Sequence, residues 1–154
     1  MNSKKNKINI VVSIIIKFSD LDINTNKIKK LVKAVCLRFG LKNANINIVI
    51  TGDVEIKRIN RLYLKHKRIT DCISFDLSDE FDKLKVFDII VNGQRAVGQA
   101  QRRGHPSQAE LMLYITHGLL HNLGFNDKTV SQAKKMHKVE DEILQEQDYG
   151  IIYG

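Results

Sequence analysis

His117 and His121 lie four residues apart in the run His-Gly-Leu-Leu-His-Asn-Leu-Gly-Phe-Asn-Asp, residues 117–127. On a helix, four residues make about one turn, so both imidazoles project from one face with Cβ atoms roughly 5–6 Å apart. That spacing lets two ring nitrogens bind one ion at a tetrahedral angle. Gly124 then stops the helix, and the chain can fold back so that Asp127 returns as a third, oxygen ligand. Two imidazoles and one carboxylate leave a fourth position for water, the arrangement of a catalytic rather than a closed structural site. A bare His-x-x-x-His arises by chance on many helices. Here the pair sits among Leu111, Leu113, Tyr114, Ile115, Leu119 and Leu120, where two unpartnered imidazoles would be costly to bury. The reading is one transition-metal ion per chain, zinc by ligand type, doing hydrolytic chemistry. Zinc peptidases of the His-Glu-x-x-His type carry their general base directly after the first His. That position is Gly118 here, which disfavours a peptidase. Of the other histidines, His66 reads as solvated in a Lys/Arg run, His105 as a loop residue before Pro106, and His137 as part of a charged helix.

The elements that must position this run can be read from periodicity. Ile8 to Ile16 is β-branched and predicts a strand. Asn24 or Thr25 caps a helix to about Phe39, with Ile28, Leu31, Val32 and Val35 on one face and Gly40 beyond. Ile46, Ile48 and Ile50 alternate as a second strand. Ile56, Ile59, Leu62 and Tyr63 recur helically. Cys72 to Leu77 and Val86 to Val91 predict two more strands around an acidic loop. Residues 94–104 predict a helix, broken at Gly104-His-Pro106. Ser107 with Glu110 has the spacing of a capping box for the His helix, though Glu110 also lies near the face of His117. A last helix runs from about Thr129 to Gln147. The pattern predicts one α/β domain over residues 1–154, with four strands and about five helices.

The 154 residues carry a net charge of +8, unevenly spread. Residues 1–70 hold 16 basic and 4 acidic side chains, whereas residues 71–154 hold 9 and 13. A basic half suits a polyanionic partner, nucleic acid first, or else serves only solubility. Lys65, Lys67 and Arg68, with Arg102 and Arg103, are the candidate phosphate contacts. Cys36 and Cys72 form no Cys-x-x-Cys pair and read as small core residues of a reduced cytoplasmic protein. The apolar stretch after Lys7 is far too short to span a membrane.

Several blocks resemble the YbeY family of bacterial zinc-dependent endoribonucleases. The family motif His-Gly-x-Leu-His-Leu-x-Gly-Tyr-Asp-His aligns with residues 117–127, with Asp127 in place of the last His and Asn122 in place of the second Leu. Ile59-Asn60-Arg-Leu-Tyr63, then Thr70-Asp71-Cys-Ile-Ser74-Phe75, is similar to its Leu-Asn-x-x-aromatic and Thr-Asp-Val-Leu-Ser-Phe blocks. Asp88-Ile89-Ile-Val91 resembles its Gly-Asp-Ile strand, and Glu110-Leu111 the opening of its motif helix. The likeness covers about residues 45–147. It implies a four-stranded mixed sheet with helices packed on it, and metal-assisted hydrolysis of single-stranded RNA in ribosomal RNA maturation, with His117, His121 and Asp127 as metal and catalytic residues. It also implies partners at the small ribosomal subunit, a ribosomal protein and a GTPase among them. An Arg linked to activity in the family is Leu64 here, so that role does not transfer. The alternatives are an RNA- or ribosome-binding assembly factor with little catalysis and, less favoured, a zinc peptidase.

Overall fold

Alternation of Ile with polar residues makes β2 (Asn43–Thr51) a strand with one wholly buried face, Ile46, Ile48 and Ile50, and one half-covered face, Asn45, Asn47 and Val49. It is one of the two inner strands of a sheet ordered β1-β2-β4-β3. The computed structural model of the chain describes residues 7–64 and 70–150. Over these, β1 (Asn9–Ile16), α1 (Thr25–Arg38), β2, α2 (Asp53–Leu64), β3 (Cys72–Asp76), β4 (Lys85–Asn92), α3 (Gly93–Arg103), α4 (Ser107–Asn122) and α5 (Val130–Glu146) follow in order. β1 pairs parallel with β2 and β2 with β4, whereas β3 pairs antiparallel with β4 at the edge. The four strands and five helices expected from periodicity, and the mixed sheet that the family resemblance implies, are present among the described residues.

The larger core lies on one face of the sheet, where Ile28, Leu31, Val32 and Val35 of α1 and most of α4 meet Ile46, Ile48, Phe87 and Ile89. α2 covers part of the opposite face through Ile56 and Ile59 against Ile73. α4 is buried on nearly its whole circumference, so it is the central helix rather than a surface one. Among the described residues, no helix is long and apolar enough to cross a membrane.

The helix caps differ from expectation at α4. Asn24 caps α1 as predicted, its side chain accepting from the Lys27 amide. The Ser107–Glu110 capping box does not form. Pro106 occupies the N-cap position, which makes Ser107 the first helical residue, and no side chain caps the helix. Glu110 is wholly buried, and its Oε1 lies 3.1 Å from Arg103 Nη1 and 2.7 Å from His105 Nε2. A buried carboxylate must find charged partners, and that demand outweighs the cap. The reciprocal capping box lies instead at α5, between Thr129 and Gln132.

Candidate metal centre

α4 delivers His117 and His121 to the rim of the core at 25% and 28% side-chain exposure, with their rings edge to face. Each ring is held by its Nδ1. That of His117 lies 3.1 Å from Glu140 Oε2, and that of His121 lies 3.0 Å from the Phe125 carbonyl oxygen. A neutral imidazole that donates from Nδ1 keeps a bare lone pair on Nε2. The two Nε2 atoms face each other at 3.0 Å.

The turn after α4 brings in the third group. Gly124 takes φ 101°, where a side chain would be strained. The Phe125 amide then donates back to the Leu120 carbonyl, and the Phe125 ring packs edge-on against Phe39. From that anchor to the Thr129 cap the chain has only a short loop, and Asp127 sits in it. Asp127 Oδ2 stands 3.5 Å from Nε2 of both His117 and His121. A tetrahedral ion held at about 2.0–2.1 Å by nitrogen and oxygen places its donors about 3.3–3.4 Å apart. The observed triangle of 3.0, 3.5 and 3.5 Å fits that requirement, and the three residues form a group able to hold a metal ion.

The surroundings are electronegative. Burial alone would lower the His117 pKa, but the Glu140 carboxylate outweighs it, helped by Asp127 and Asp71, and the net shift is upward. The same three carboxylates add to burial in pushing the Cys72 thiol up to about 12, so this half-buried cysteine stays protonated beside the site.

Gly118 has a packing reason. A Cβ there would stand 2.9 Å from Ile89 Cγ2 and 3.1 Å from Cys72 Sγ, with Ser74 Cβ next at 3.8 Å. Here α4 lies directly on β3 and β4, so the position used for a peptidase general base has no room for a side chain. Gly118→Glu should therefore destabilise the chain by more than ~3 kcal/mol, since overpacking alone costs about 1–3 kcal/mol and a buried unpaired carboxylate adds to it. Chemical denaturation would measure this, and a stably folded variant would show that the contact yields.

The other candidate residues divide. Lys65, Lys67 and Arg68, like His66, lie outside the described residues. Arg102 is exposed on the last turn of α3 and bounds a shallow polar groove with Arg95, Gly98 and Gln99. Arg103 is exposed on the same turn of α3, and its Nη1 pairs with Glu110. Glu110 is two turns below His117 and outside the triad. Asp71 is close enough for its charge to act on His117, and it pairs with Arg95. The Asp71 carbonyl also accepts from the Asn92 amide, tying the start of β3 to the start of α3.

Glu140 and Arg95 escaped the sequence reading. For Glu140 a signal existed. It sits on the apolar stripe of α5 with Met136, Ile143 and Leu144, where an acid is out of place unless it has a task. Arg95 carried no comparable signal.

Known proteins resemble the chain over most of its length. The family model described as Endoribonuclease YbeY matches residues 13–148. A relative from Aquifex aeolicus described by that name is 31% identical over 146 residues, covering 94% of this chain and 95% of its own. Another of the same name from Endomicrobium trichonymphae is 36% identical over 104 residues, 68% of this chain and 72% of its own. A solution structure of a Thermotoga maritima protein shares the fold, with a TM-score of 0.58 and 21% identity over 90% of this chain and 92% of that one.

Proposed function

Because the chain belongs to the Endoribonuclease YbeY family, we propose that it hydrolyses phosphodiester bonds of single-stranded RNA at the centre formed by His117, His121 and Asp127, with one zinc ion as cofactor. The observation that carries this reading is the convergence of His117 Nε2, His121 Nε2 and Asp127 Oδ2 within metal-donor distance of one another. When bound, the ion would supply Lewis-acid polarisation of a phosphoryl oxygen and an activated water at neutral pH. The protein's own part is to orient the donors. Glu140 and the Phe125 carbonyl lock the two rings, and the Gly124 turn and the Thr129 cap hold the loop that carries Asp127.

The RNA backbone would be held by cations around the α3 groove, Arg95 and Arg102, and by Lys57, Arg58 and Arg61, which are exposed on α2. Lys65, Lys67 and Arg68 follow α2 directly in the chain and belong to the same proposal. The setting is ribosomal RNA maturation in the cytoplasm, at the small ribosomal subunit, with a ribosomal protein and a GTPase as partners. A second reading, an RNA-binding assembly factor that cuts poorly, draws on Asp127 itself. A carboxylate ligand neutralises part of the ion's charge and weakens it as a Lewis acid.

Zinc-loaded protein should cleave single-stranded RNA, lose that activity to a chelator and regain it with zinc. Binding without cleavage at full zinc occupancy would favour the assembly factor. RNA affinity should fall steeply with salt, and Arg102→Ala should reduce the slope of log affinity against log salt by about 0.7, one phosphate's share on a single strand. A slope unchanged by that substitution would remove the α3 groove from the contact surface.

A further inference from the structure

We infer that Glu140 is the positioning residue of the metal centre: it holds His117 in the one tautomer that can ligate through Nε2, and it supplies the second negative charge that balances a divalent ion. The inference rests on the reading of His117, His121 and Asp127 as metal ligands.

Glu140 is wholly buried, on the apolar stripe of α5. Among the described residues its only ion-pair partner is His117, through Oε2, and its Oε1 has no hydrogen-bond partner at all. A carboxylate removed from water costs several kcal/mol unless it is paired. Glu110, the other buried acid of the core, shows the usual solution, with an arginine and a histidine on one oxygen. Glu140 has no arginine or lysine among its described ion pairs, and its one described polar partner is the ring that carries a metal-facing nitrogen.

The two imidazoles are fixed by unlike partners. His121 donates to a neutral backbone carbonyl, which sets its tautomer and adds no charge. His117 meets a carboxylate, which does both. With neutral rings, the charged groups in contact with the triad atoms are Asp127 within it and Glu140 behind it. These sum to −2, and a divalent cation brings the cluster to zero. A carboxylate behind a ligating imidazole also makes that nitrogen a better donor.

Charge and tautomer can be separated by substitution. Glu140→Gln keeps the length and a carbonyl oxygen that can still accept from Nδ1, but it removes the charge. Glu140→Met fills the same volume and removes both. Zinc affinity would be measured by competition with a chromogenic chelator, and ligand geometry by the visible spectrum of the cobalt-substituted protein. We expect Glu140→Gln to bind zinc about 10-fold more weakly with a cobalt spectrum like the parent's. Glu140→Met should bind about 100-fold more weakly, with an altered spectrum. A merely structural role would lower the melting temperature of the zinc-free protein and leave zinc affinity and the cobalt spectrum unmoved. Parental zinc affinity in both variants, while the parent holds one ion per chain, overturns the inference and leaves the metal centre standing. A parent that binds neither zinc nor cobalt overturns the metal centre and the inference with it. RNA cleavage enters neither outcome.

Discussion

His121→Ala loses the bound metal ion and, with it, RNA cleavage. Structural zinc sites hold about 10–16 kcal/mol over four ligands. That is roughly 2.5–4 kcal/mol per ligand, so removing one of three should weaken zinc by about 10²–10³-fold. His121 is the cleaner of the two histidines to remove, because its Nδ1 partner is a backbone carbonyl that can turn to water. His117→Ala should lose the metal as well, but it also strands the buried Glu140 carboxylate and should lower stability at the same time. Elemental analysis after dialysis against micromolar zinc reads the first effect, and thermal melting without zinc reads the second. Acid should strip the ion from the parent too. Protons compete for Nε2, and the raised pKa of His117 means that release begins at a higher pH than for an ordinary imidazole. Full zinc occupancy in His121→Ala would dissolve the centre as described.

Much of this site could be read from sequence because its parts are local. His117, His121, Gly124 and Asp127 lie within eleven residues, and helical geometry plus one stop signal fixes their relation. Glu140 lies 23 residues from His117, on another helix. Its contact depends on how α5 packs against α4, which periodicity within α5 does not encode. The Asp71–Arg95 pair joins the start of β3 to α3 and exists only because β3 pairs antiparallel at the sheet edge. The Ser107–Glu110 pattern misled for a related reason, since the demands of a buried charge reach across elements and override a local cap. The basic first half also counts for less than its charge implies. Lys17 pairs with Glu55, and Arg38 with Glu142 and Glu146, so part of the excess serves the fold. The strands and helices were legible because their faces are strongly asymmetric, as in β2, where alternate residues are fully buried.

Asp127→Ala should leave two imidazoles with weak zinc affinity and little RNA cleavage, while the fold stands. The side chain is 41% exposed and lies in a loop anchored at both ends by other residues, so its loss removes a donor and little packing. Asp127→His tests the same position in the opposite direction. Exposure gives an imidazole room, and a third nitrogen donor restores the ligand usual in the YbeY motif. A carboxylate partly neutralises the ion and an imidazole does not, so the His variant holds the stronger Lewis acid. Its pH–rate profile should move its rising limb to lower pH. Imidazole is longer than carboxymethyl, and misfit would offset this gain, so the Ala variant decides the question. Normal zinc content and normal cleavage in Asp127→Ala would take Asp127 out of the ligand set. Asp71, whose charge already reaches His117, would then be the next carboxylate to test, since His105 is occupied with Glu110 at the far end of α4.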